Sequence, residues 1–164
     1  MRNKISATKA DWERERLDKF WEPNKQLLNC LRKYQKYKNK ESLLANIVSK
    51  YFVLKHRFWS VVTGADIPLN SQLGGGVLIP HPNGIVIHPK AKIGVNCLIF
   101  QQVTLGSRDG GAPIIGGHVD IGAGAKIIGN ITLGDHVRIG ANSVVLTDVP
   151  SGCTAVGVPA KIIK

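Results

Sequence analysis

The segment Pro80-His81-Pro82-Asn83-Gly84 holds the residue best placed to move a proton, a histidine fixed between two prolines. Asp66 stands fifteen residues earlier. A carboxylate bonded to one imidazole nitrogen orients the ring and leaves the other nitrogen free as general base for a hydroxyl. The same segment also reads as an exposed turn with a solvent-facing histidine, and spacing alone leaves the two readings level. Other chemistries find less support. No Gly-x-Ser-x-Gly elbow occurs, and Cys30, Cys97 and Cys153 form no CxxC pair. No cluster has metal-ligand spacing, so no metal is expected. Gly122-Ala123-Gly124 lacks the register of a P-loop or dinucleotide fingerprint. His88, beside Pro89, reads as a turn residue, and His118 and His136 as outward corners at the surface. His56 reads as a helix residue at the core edge or the surface.

The elements that must position these groups follow from a repeat. From Ile67 onward aliphatics recur every six residues: Ile67, Leu73, Ile79, Ile87, Ile93, Ile99, Leu105, Ile115, Ile121, Ile127, Leu133, Ile139 and Val145. Four residues after eleven of them comes a small or branched residue. A period of six is neither helical nor simple strand alternation; it fits a solenoid of short strands joined by tight corners. Three hexads close one triangular coil, and thirteen rungs make about four and a third coils, roughly 21 Å tall. Only two intervals depart from six, eight between Ile79 and Ile87 and ten between Leu105 and Ile115. Regular rungs are explained by packing, so these two insertions are where function is expected. Val149-Pro150 is expected to leave the solenoid.

Residues 1–60 are a different material. They contain no glycine, nine of the ten aromatics and one proline, with 15 basic and 6 acidic groups. They read as a basic helical segment. A short first helix through Trp12, Leu17, Phe20 and Trp21 is expected to stop at Pro23, a second to cover Leu27–Tyr37, and a third to open at Glu41. This segment can cap the first coil. The run Arg32–Lys40 suits either a solvated helix face or contact with an anionic membrane, and nucleic acid less well. Residues 61–164 form the second domain. The 164-residue chain, at a formal +11, shows no apolar run long enough to span a membrane and no signal-peptide core. Its few cysteines suggest a reduced, cytoplasmic setting, with a peripheral place at the inner face of the membrane as the alternative.

The stretch Gly64–Lys164 resembles the bacterial serine acetyltransferases, through Gly84-Ile85-Val86-Ile87, Gln101-Gln102-Val103-Thr104-Leu105-Gly106, Ile121–Ile131 and Val156-Gly157-Val158-Pro159-Ala160-Lys161. The resemblance implies a mainly β fold, the left-handed parallel β-helix of hexapeptide repeats, a triangular prism preceded here by a small α-helical segment. It implies acetyl-CoA as co-substrate, bound between subunits of a homotrimer. His81 would be the general base and Asp66 its orienting partner. Gly106, Ser107, Ala123, Arg138, Ala141 and Lys161 would meet the CoA. Pro80, Asn83, Gln101 and Arg108 are the candidate neighbours of the acceptor.

Three departures bear on that acceptor. The family's aspartate before the histidine is Pro80 here. Its Arg-His pair in the loop after Thr-Leu-Gly is replaced by Gly111-Ala112, and that loop is four residues shorter. The helical part is shorter too, which resembles the small acetyltransferases of bacterial surface-polysaccharide synthesis. The expectation is O-acetylation of a sugar hydroxyl, with serine O-acetylation in cysteine biosynthesis as the alternative. A non-catalytic scaffold is the rival of another class, and a solvent-facing, unpaired His81 would favour it.

Overall fold

The computed structural model describes residues 5–163. It is a left-handed parallel β-helix of about five turns preceded by two helices. Three parallel faces form the prism. One stacks Gln72–Leu73, Lys92–Ile93, Ile114–Ile115 and Thr132–Leu133. A second stacks Leu98–Ile99, Asp120–Ile121, Arg138–Ile139 and Thr154–Gly157, and a third Val86–Ile87, Thr104–Gly106, Lys126–Ile128 and Val144–Val145.

All thirteen repeating aliphatics point inward, none more than 8% exposed. The register shows how the insertions are absorbed. Asp120 lies beside Arg138, eighteen residues on, but Gln72 lies beside Lys92 and Lys92 beside Ile114. Each insertion falls before the small inward position, now taken by Ile85 and Pro113, two residues ahead of Ile87 and Ile115. The extra residues therefore bulge outward, and the aliphatic ladder stays in phase.

The helices pack on this prism and share one core with it, Leu27, Leu31 and Trp59 joining Ile67 and Ile79. Helix α1 spans Pro23–Tyr37 and α2 spans Leu43–Thr63. Gly64 ends α2 at φ 64°, a left-handed conformation that glycine adopts without cost. From α1, Arg32 donates to the carbonyls of Leu73 and Gly74, and Gln35 to those of Leu69 and Ser71. The helix thus covers the first coil.

Several expectations are corrected. Pro23 opens α1 instead of stopping a helix, because a first-turn residue needs no N–H. Before it there is only a 3₁₀ turn at Trp12–Glu15. Arg32 does not belong to a solvated face: it pairs with Glu15 at 2.9 Å, both side chains largely buried. Lys36, Lys38 and Lys40 lie over the rings of Tyr37 and Tyr34. The chain does not leave the prism at Val149. Thr154–Gly157 adds another rung beside Arg138–Ile139, with Ala155 buried, and Ala160–Ile163 then folds back antiparallel on it. A sixteen-residue step between Arg138 and Thr154 hid that rung from a six-residue count. Among the described residues no helix is long and apolar enough to cross a membrane.

Candidate functional site

Asp66 is placed by the junction of α2 with the prism. Its N–H donates to the Ile85 carbonyl at 2.8 Å, and its own carbonyl accepts from Ile87 N–H at 2.9 Å. Two residues earlier, the Gly64 carbonyl accepts from Gly84 N–H at 2.8 Å. The strand carrying Asp66 thus runs alongside the end of the first insertion. His81 sits on that insertion, just before a turn closed by Ile85 N–H to Pro82; from the next coil Gln102 N–H donates to the Asn83 carbonyl. It lines an open hollow of about 370 Å³ with Pro23, Asn24, Val62, Thr63, Pro80, Pro82 and Asn83. No carboxylate, lysine or arginine lines it.

Within the single chain His81 is exposed, and among the described residues no hydrogen bond joins it to Asp66. A second histidine, His56 on α2, lies near Asp66. His56 is buried and its Nε2 has no hydrogen-bond partner. Burial lowers its pKa, while the Ile67 carbonyl and the Asp66 charge act in the opposite direction. The helical spacing of His56 with Trp59 and Thr63 was the available sign of its burial; its nearness to Asp66 depends on how α2 meets the first coil.

The remaining candidates divide into separate places. Gly106 ends its strand, and Ser107 opens the second insertion. That insertion is a tight hairpin, Arg108 and Gly111 exchanging both backbone bonds across Asp109-Gly110, each at positive φ. Arg108 lies 3.5 Å from Asp109, both exposed. Ala123 and Ala141 stack on successive coils, Asn142 N–H donating to the Ala123 carbonyl. Gln101 is half-buried, with an unpartnered Oε1. Lys161 is exposed on the last strand, opposite Val156. Pro80 and Asn83 share the hollow of His81; none of the CoA candidates lines it.

Arg138 opens into a different hollow, of about 530 Å³, with His118, Asp120, His136, Gly152 and Thr154. His118 and His136 do turn outward corners, as expected, but the two rings also meet each other. His118 and His136 are half-buried, and their Nδ1 atoms lie 2.7 Å apart. Both are in the left-handed region, in a column with Gly76, Asn96 and Gly152 that turns the same corner on successive coils. Histidine is among the residues that tolerate that conformation, and one-coil spacing brings the rings together. His88 does serve a turn, accepting from Lys90 and Ala91 N–H groups. Cys97 faces inward, its thiol pushed up to about 11 by burial, which suits packing and not nucleophilic attack. Among the described residues no group of three side chains could hold a metal ion.

No family model matches the chain. It is 49% identical over 107 residues to a serine acetyltransferase of Synechococcus elongatus, covering 63% of this chain and 44% of that one. A serine acetyltransferase of Staphylococcus xylosus is 44% identical over 135 residues, 80% of this chain and 59% of that one. A solved serine acetyltransferase in complex with CoA superposes with a TM-score of 0.73 at 34% identity, covering 88% of this chain and 58% of that one. Soybean serine acetyltransferase complexed with serine gives 0.72 at 35% identity, covering 86% and 57%. The chain spans about half the length of the relatives it matches.

Proposed function

From its standing as a serine acetyltransferase-like hexapeptide-repeat chain, we propose that this protein is an acetyl-CoA-dependent O-acetyltransferase, with the prism of residues 61–164 as its acyltransferase part. The observation that carries this reading is His81, held on a two-proline insertion in an open hollow, at the position that matches the general base of similar enzymes. His81 takes the proton from an acceptor hydroxyl as its oxygen attacks the thioester carbonyl. A backbone N–H near Ser107 receives the developing oxyanion. Collapse breaks the C–S bond, and the imidazolium returns its proton to the departing thiolate. Asp66 is the proposed orienting partner of the imidazole, through a bond that the single chain does not make and that substrate binding would have to complete. Gly106, Ser107, Ala123, Ala141, Arg138 and Lys161 hold the CoA against a neighbouring subunit of a homotrimer, since one prism cannot enclose an extended CoA.

The relatives support free serine as the acceptor, against the expectation of a sugar drawn from the departures in the sequence. One observation favours the sugar as a second reading. Serine brings an ammonium and a carboxylate, and the hollow around His81 presents neither a carboxylate nor a lysine or arginine to meet them. The exposure of His81 and its missing bond to Asp66 are what a scaffold would show. Thiol release from acetyl-CoA, measured with serine and with mono- and oligosaccharides, separates all three. Turnover of serine above ~10⁴ M⁻¹s⁻¹ supports the first acceptor. Turnover of a saccharide alone supports the second, and no turnover with any acceptor sinks the enzyme reading.

A further inference from the structure

Helix α2 is apolar on two faces. Ala45, His56, Trp59 and Thr63 are buried against the rest of the molecule. On the opposite side Leu44, Ile47, Tyr51, Leu54, Phe58 and Val61 repeat at steps of three and four, each more than half exposed. Together they present on the order of 800 Å² of apolar surface, beyond the ~300–600 Å² that the largest patch of an ordinary monomer reaches. Trp21, 63% exposed, packs edge-on against Trp59 at 5.5 Å.

Charge selects among the surfaces that could cover it. Neither Pro23–Tyr37 nor Leu43–Thr63 contains an acidic residue. Lys50 and Arg57 flank the exposed stripe of α2, and Lys33 and Lys36 are basic neighbours on α1. A second copy pairing along this stripe would set like charges against each other. A bilayer containing anionic lipid supplies the opposite charge, and its headgroup region accommodates Trp, Tyr and Phe.

We infer that the outer face of α2 is a membrane-docking surface, lying in the headgroup layer of an anionic bilayer without crossing it. Val62 belongs both to this end of the helix and to the hollow of His81, so docking brings that hollow next to the lipid surface. Docking does not depend on catalysis: His81→Ala is expected to bind vesicles as the parent does.

The test is co-sedimentation of the full chain with vesicles of phosphatidylcholine alone or mixed with phosphatidylglycerol. Binding to mixed vesicles should exceed binding to neutral ones at least tenfold and weaken in high salt. Tryptophan emission should shift to shorter wavelength on binding. Leu54→Glu with Phe58→Glu, and separately Lys50→Glu with Arg57→Glu, should each reduce binding tenfold or more. Circular dichroism checks their folding, and the milder Leu54→Gln serves if the first pair fails to fold. Absence of binding to mixed vesicles, or binding that both variant pairs retain, overturns the inference. So does self-association in lipid-free buffer that the Leu54 and Phe58 changes abolish, which would assign the face to a second copy.

Discussion

Arg32 on α1 and Glu15 on the 3₁₀ turn form a two-bond pair within the helical segment, Nη2 to Oε1 at 2.9 Å and Nε to Oε2 at 3.0 Å, and both residues also bond to the prism. The pair is anchored at both ends. Arg32 also donates to the carbonyls of Leu73 and Gly74, and Glu15 Oε1 accepts from Val77 N–H at 3.0 Å.

Removing Arg32 leaves a largely buried carboxylate and two carbonyls without their donor. Arg32→Ala is expected to cost about 3 kcal/mol, read by urea unfolding. Lys33→Ala, on an exposed neighbour, should change stability by less than ~0.5 kcal/mol. Equal effects at the two positions would show that the pair contributes nothing.

His81→Ala should lower acetyl transfer by roughly 10²–10⁴-fold while acetyl-CoA still binds, as calorimetry can measure. Asp66→Asn should be milder. Wild-type rates in the His81 variant would assign the proton transfer elsewhere.

By the resemblance read from the sequence, Pro80 takes the place of an aspartate beside the histidine. Restoring the anion with Pro80→Asp should raise kcat/KM for serine by about tenfold, the value of one charged hydrogen bond. It should not improve a neutral saccharide. A gain for both acceptors, or for neither, argues against ammonium recognition at this position.

Burial holds His56 and His118 below the ordinary histidine value of 6.5. The unfolded chain therefore takes up protons near 6.5 that the folded chain binds only at lower pH. Stability is full above about 6.5 and falls as the pH drops toward the lowered native values. Thermal unfolding at pH 7.5 and pH 5 should show this loss. His56→Gln should flatten the profile; an unchanged slope would remove His56 as its source.

Cys30 and Cys97 are fully buried, each thiol raised to about 11 by desolvation, whereas Cys153 is half-exposed. A thiol reagent under native conditions should label Cys153 rapidly and the other two only after unfolding. Early labelling of Cys97 would contradict its packed position.

The prism was legible because its rule is one-dimensional. Each inward aliphatic, from Ile67 to Val145, is set by its place in a count, and both irregular intervals proved to be outward bulges. What the count missed involves contacts made across coils or across segments. The rung at Thr154 follows a shortened step, and His118 meets His136 only because two corners stack. Around Asp66 the local sequence pointed to His81. The buried histidine that α2 brings near Asp66 is His56, and its position depends on how two separately readable elements dock.

The antiparallel return of Ala160–Ile163 has a consequence for assembly along the prism axis. A parallel coil can template another only while its edge offers a parallel partner, and on this face the last strand runs the wrong way. At the opposite end, Arg32 and Gln35 already occupy the carbonyls of Leu69, Ser71, Leu73 and Gly74. In-register stacking of a parallel strand is therefore obstructed on the face that carries Thr154–Gly157 and at the carbonyls of Leu69, Ser71, Leu73 and Gly74. Any contact between copies at these places would then fall to the flanks, where side chains, and not free backbone, decide which partners fit.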